Sequence, residues 1–344
     1  MKFPFLFRCA AVAVLLVVSV SHSFALAQTG SGEKEAQATS KSVLLVLNKI
    51  ENTLAIVDPT SLKVVGRVPT GTGPHEVVAS ADGRLAYVAN YGDQQNLGNS
   101  LSIIDINARK EIKRVELGPL FRPHGLVEAG GKIYFTAEVN RAIARYDPVS
   151  ARVDWIMGTG QTATHMLAIM PDGKRAYTAN IASDTVTAIE LNAPPGPKQI
   201  AQIGVGKQPE AIDISPDGRE LWVGQNGDGS ISIIDTATNK VKETIKVGEV
   251  PIRVKFTPDG KRVLVSDPKA GELIVLDAAT RKELKRLTIE GVPVGILIAP
   301  GGSRAFVAAM QANKVIVVDL EKLALAATIE PGQGPDGLAW AGSS

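Results

Sequence analysis

Residues 209–225 read Pro209-Glu210-Ala211-Ile212-Asp213-Ile214-Ser215-Pro216-Asp217-Gly218-Arg219-Glu220-Leu221-Trp222-Val223-Gly224-Gln225, and the chain continues through Ser230-Ile231-Ser232-Ile233-Ile234-Asp235 to a run at 241–247. Pro216-Asp217-Gly218 is a tight turn, because Pro presets one φ and Gly accepts a positive one. Short β-branched and aromatic runs flank it. Residues 230–234 alternate polar and apolar, the period of two that marks a strand. Gly248 and the next Pro close the unit, so four short strands fit within 42 residues.

The unit recurs. Its opening segment appears as Pro74-His75-Glu76, Pro123-His124-Gly125, Thr164-His165-Met166, Pro209-Glu210-Ala211, Pro251-Ile252-Arg253, Pro293-Val294-Gly295 and Pro335-Asp336-Gly337. The spacings are 49, 41, 45, 42, 42 and 42 residues. No stretch of comparable length carries a helical apolar stripe. Four-strand units of this length repeated radially predict an all-β, seven-bladed β-propeller, which closes on itself and hides most sheet edges. The ends of the repeat region support a ring over a linear stack. Residues 43–47, 53–57 and 63–68 match strands two to four of a unit, while 337–341 is a first strand without followers. Each fragment supplies what the other lacks, a three-plus-one closure between N- and C-terminal strands.

Tyr87-Val88-Ala89-Asn90 and Tyr177-Thr178-Ala179-Asn180, with the Pro-Asp-Gly turns and the Ile-Ile-Asp strand endings, resemble the YVTN-type β-propeller repeat family over residues 42–341. Units two, five and six depart from the motif, with Tyr134-Phe135-Thr136-Ala137-Glu138, Leu264-Val265-Ser266-Asp267 and Phe306-Val307-Ala308-Ala309. That family is in turn similar to surface-layer propellers, propeller lactonases and the haem propeller of nitrite reductase. Their activities differ, so the resemblance implies a fold and no single function.

The domain organisation follows from the N-terminus. Lys2 and Arg8 precede an uncharged, largely apolar run to Ala27, read as a signal peptide over residues 1–27 with cleavage before Gln28. Residues 28–41 lack apolar periodicity and are expected to be a disordered linker. Cleavage removes the single cysteine and His22, and leaves 35 basic residues against 35 acidic ones. A neutral mature chain has no pull toward nucleic acid or a membrane surface. The expectation is a monomeric periplasmic or secreted protein without disulfides or thiolate sites.

The residue after each opening Pro or Thr forms the most informative column: His75, His124, His165, Glu210, Ile252, Val294 and Asp336. All three histidines of the mature chain fall in it. Duplication alone can copy a residue down a column without selection for chemistry. First strands line a propeller's axis, however, so these histidines are expected to be neighbours at one channel mouth. With Glu210 they form a candidate metal site for Cu, Fe or Zn, neutral imidazole being the commonest protein ligand. Haem ligation is a variant of the same reading.

A second column ends the second strands: Asn48, Asn90, Glu138, Asn180, Gln225, Asp267 and Ala309. Most of these are read as satisfying loop backbone groups. Asn90, Asn180 and Gln225, with Arg122 and Asp336, are the ligand-binding candidates, and Glu138 is the candidate catalytic acid or base. An insertion at 91–100 predicts a long loop over the mouth. Phosphate-cradling loops, nucleophile elbows and zinc-protease motifs are absent from the sequence. The expected function is binding of a small ligand or protein partner at the axial mouth. The alternative is a metal-dependent oxidoreductase or hydrolase using the three histidines.

Overall fold

The computed structural model describes residues 42–342, and the expected signal peptide and linker lie outside them. The described residues form 28 strands in seven four-stranded antiparallel sheets. Single 3-10 turns at Ile181–Ser183 and Met310–Ala312 are the only helical elements among them. Six blades take four consecutive strands each, the first being Pro74–Ala79, Leu85–Gly92, Leu97–Asp105 and Lys110–Glu116. In the seventh, Pro335–Ala341 pairs with Val43–Asn48, which continues through Thr53–Asp58 to Lys63–Pro69. The register sets Val43 opposite Ala341, Leu44 opposite Trp340 and Leu45 opposite Ala339. Each first strand contacts the first strand of the next blade, and Pro335–Ala341 contacts Pro74–Ala79, so the ring is complete.

Burial grades outward as this geometry requires. Second strands such as Glu220–Gln225 are buried after their first residue, because both faces are covered by neighbouring blades. Outer strands such as Lys240–Lys246 are exposed and lysine-rich, which protects their free edges from pairing with another chain. The cores lie between blades. Trp222 packs edge-on against Phe256 of the next blade, ring centroids 5.4 Å apart. The closing blade is buried on both sides, with Leu44 and Val46 against Phe306 and Val317, and Leu45 and Leu47 against Val77 and Val88.

The turns use the chemistry their sequences specify. Asp217 and Asp259 each accept a hydroxyl hydrogen bond two residues back and a backbone N–H two residues on. The glycines at 83, 173, 218, 260 and 302 hold φ between +67° and +73°. The acids ending the third strands accept turn N–H groups, as Asp235 does from Thr238 and Asp277 from Thr280. The 91–100 insertion differs from the expected loop. It prolongs the hairpin, with Gly92 paired to Leu97 past a bulge at Asn90, so added residues became ladder.

Candidate functional site

In six of the seven first strands the pairing register shifts just after the opening Pro or Thr. A β-bulge re-aims the residue within it, and the histidine column occupies this bulge. Adjacent first strands also abut closely. A Cβ added to Gly337 would stand 2.4 Å from the His75 carbonyl oxygen, and one on Gly295 would stand 2.1 Å from that of Asp336. Glycine at these positions permits the tight inner ring. The three histidines therefore converge. The centroids of His75 and His124 are 4.1 Å apart, and those of His124 and His165 are 3.6 Å apart.

Each ring has different partners. His165 Nδ1 is 2.8 Å from Glu138 Oε2, and its Nε2 is 3.7 Å from Glu210 Oε1. Burial alone would lower its pKa, but the hydrogen bonds and charges of Glu138 and Glu210 outweigh it and hold His165 at about 9. Both carboxylates stay below the ordinary range: burial favours their neutral form, and His165 overcomes it. His75 Nε2 lies 3.1 Å from Lys49 Nζ. Its Nδ1 is 2.7 Å from Asp336 Oδ2, a close approach in which the ring N–H is not aimed squarely at the oxygen. Burial opposes ionisation of Asp336, yet His75, Lys49 and Arg253 keep its pKa well below the usual carboxylate value.

His124 is the exception. It is 0% exposed, and neither ring nitrogen has a hydrogen-bond partner. Burial, reinforced by the neighbouring histidines, Arg253 and Lys49, pushes its pKa well below 6.5, so it is neutral. A buried polar group without a partner costs about 1–3 kcal/mol.

Beneath the histidines lies a pair the sequence reading missed. Arg253 Nη2 donates to Glu76 Oε1 at 2.5 Å, joining the first and fifth blades across the channel. Arg253 Nη1 also lies 3.8 Å from Glu210 Oε1. A signal was present one residue beyond the histidine column, where Glu76, Gly125, Met166, Ala211, Arg253, Gly295 and Gly337 align. Its two charged members have opposite sign. Lys49 follows the second-strand column and aligns with Tyr91, Ile181, Asn226, Pro268 and Met310, a position with no common chemistry to mark it.

The second-strand column divides. Asn90 accepts from Gly71 N and donates to Ser100 and Ser102. Asn180 donates to Thr185 and Thr187, and Gln225 accepts from Ser230. All three are buried; Asn90 and Asn180 are engaged within their blades and loops, whereas the Gln225 amide nitrogen is buried without a hydrogen-bond partner. Glu138 does reach the cluster, accepting from Tyr91 Oη at 2.9 Å as well as meeting His165. Burial and the Glu138 charge push Tyr91 up to about 12, against the opposing effect of Arg122. The Arg122 guanidinium stacks 4.6 Å from the Tyr91 ring centroid, and Lys49 Nζ stands 5.9 Å from it. These side chains, with Thr72, Gly73 and Asp93, line a cleft of about 440 Å³ on the mouth face.

No curated protein matches the chain. Similar solved structures include Kuenenia stuttgartiensis hydrazine synthase, at 21% identity over 78% of this chain and 89% of that one, with a TM-score of 0.68. A functionally unknown protein of Desulfotomaculum acetoxidans has 13% identity over 85% and 98% of the two chains, with a TM-score of 0.73. A Bacteroides fragilis protein provisionally assigned as a 6-phosphogluconolactonase has 16% identity over 88% and 99%, with a TM-score of 0.69. At these identities the likeness is one of fold. The model of YNCE-like β-propellers matches residues 5–342, and the chain belongs to that family.

Proposed function

We propose that this propeller is a binding protein whose mouth face takes a small ligand carrying a carboxylate or related anionic group. The observation that carries the reading is the pair of cations on one aromatic ring. Arg122 and Lys49 flank Tyr91 in the mouth-face cleft. Arg122 offers the planar fork that suits a carboxylate, and Tyr91 offers an apolar face for the ligand's body. Beneath the histidines, the Glu76–Arg253 pair crosses the channel, which favours entry and exit by the same face. Catalysis is not part of the reading. Export after cleavage before Gln28, and action as a monomer, complete it.

The test is calorimetry of the full chain with a panel of small mono- and dicarboxylates and inorganic phosphate. Saturable one-site binding that Arg122→Gln abolishes supports the proposal. Absence of saturable binding across the panel, or binding indifferent to Arg122→Gln, contradicts it.

A further inference from the structure

His124 poses the sharper question, because a fully buried ring with two unpartnered nitrogens has no place in an ordinary core. Donor atoms of His75, Glu76 and His124 lie within 4.8 Å of one another. We propose that His75, Glu76 and His124 bind a divalent late first-row metal ion, Cu²⁺ or Zn²⁺, just inside the mouth of the ring.

The donor set fits. Two imidazoles and one carboxylate suit these ions, and ligands about 2.0–2.1 Å from a tetrahedral centre are roughly 3.3 Å from each other. A contraction of no more than roughly 1.5 Å closes the set. His124 has two unpartnered ring nitrogens, one of which can coordinate. The outer partners stand ready to orient the ligands. Asp336 lies against Nδ1 of His75 and leaves Nε2 to coordinate. Arg253 holds Oε1 of Glu76, and the carboxylate has a second oxygen to offer. Lys49 Nζ now sits 3.1 Å from His75 Nε2, where a cation belongs, and 3.4 Å from Asp336 Oδ2, and its side chain is 31% exposed. His165 and Glu210 fall outside the set, since Glu138 and Glu210 face both nitrogens of His165. The four carboxylates Glu76, Glu138, Glu210 and Asp336 outnumber the cationic side chains Lys49 and Arg253 that pair with them, which favours a cation here. Lys49 borders both this site and the anion cleft, but no ligand of the ion is among the side chains that bind the anion, so either reading can fail alone.

The experiment is titration of the untagged, metal-stripped full chain with Cu²⁺ or Zn²⁺ alone, followed by calorimetry and, for Cu²⁺, by electron paramagnetic resonance. The expected result is one ion per chain and a tetragonal copper signal split by two nitrogens. His124→Ala and Glu76→Gln should each weaken binding by more than the roughly 10–100-fold that loss of an outer partner costs, whereas His165→Gln should not weaken it. Circular dichroism verifies the fold of each variant, and the near-isosteric Glu76→Gln carries the test should His124→Ala not fold. No stoichiometric binding of either ion, binding unchanged in the folded variants, or dependence on His165 in place of His124 overturns the site.

Discussion

Replacing His165 with Gln should erase a pH dependence of stability that the native protein displays between neutral and alkaline pH. In the folded chain Glu138 and Glu210 hold the imidazolium to about 9, against 6.5 for a free imidazole. A raised pKa contributes stability that is fully present below the unfolded value and is lost as pH rises through the folded one. At about 1.4 kcal/mol per pH unit, the rise corresponds to on the order of 3 kcal/mol, nearly all of it lost between about pH 6 and pH 9.5. His124 does not blur this window. Its depressed folded pKa gives stability that is present above 6.5 and falls away only as pH drops below it. Urea unfolding curves at several pH values, for wild type and His165→Gln, measure the difference directly. The two proteins should converge by about 3 kcal/mol as pH rises. Parallel stability profiles from pH 6 to about 9.5 would refute the ion-paired assignment of His165.

Deleting residues 335–344 should prevent stable folding, because it uncovers Leu44, Leu45, Val46 and Leu47, each worth roughly 1.5–3 kcal/mol when buried, against a typical total of about 5–15 kcal/mol. A truncated chain that melts cooperatively near the wild-type temperature would refute the closure. Arg253→Met should cost up to about 3–5 kcal/mol by leaving the part-buried Glu76 without its partner, and adding Glu76→Gln should recover much of that loss. Additive costs in the double-mutant cycle would show that the pair is not coupled. His124→Leu should stabilise the metal-free protein by about 1–3 kcal/mol, since it removes an unpartnered buried polar ring, and a lower melting temperature would contradict that.

The fold was legible because its signals are local and repeated. Pro-Asp-Gly turns, period-two strands and third-strand acids each state their own geometry, and seven copies average out departures such as Leu264-Val265-Ser266-Asp267. The convergence of His75, His124 and His165 was legible for the same reason, since equivalent positions of a ring must meet. Which nitrogen meets which partner was not. The pairing of His165 with Glu138 and of Glu76 with Arg253 depends on side-chain reach across blades, up to 177 residues apart in sequence. Asn90, Asn180 and Gln225 marked the end of the blade that carries the mouth, but one polar column cannot distinguish a residue bonded to neighbouring backbone or hydroxyl groups from one that faces a ligand. The insertion at 91–100 became ladder because its residues could pair, a preference set by the neighbouring strand.

Two-dimensional NMR of the histidine and tyrosine rings, recorded while a small carboxylate is titrated into the full chain, asks most directly whether this propeller binds at its mouth. Saturable shifts should appear in the ring signals of Tyr91 and His75, which lie 5.3 Å apart, while the distant Tyr177 stays still. Shifts confined to signals away from Tyr91, His75 and His124, or none with any carboxylate, would contradict binding at the mouth.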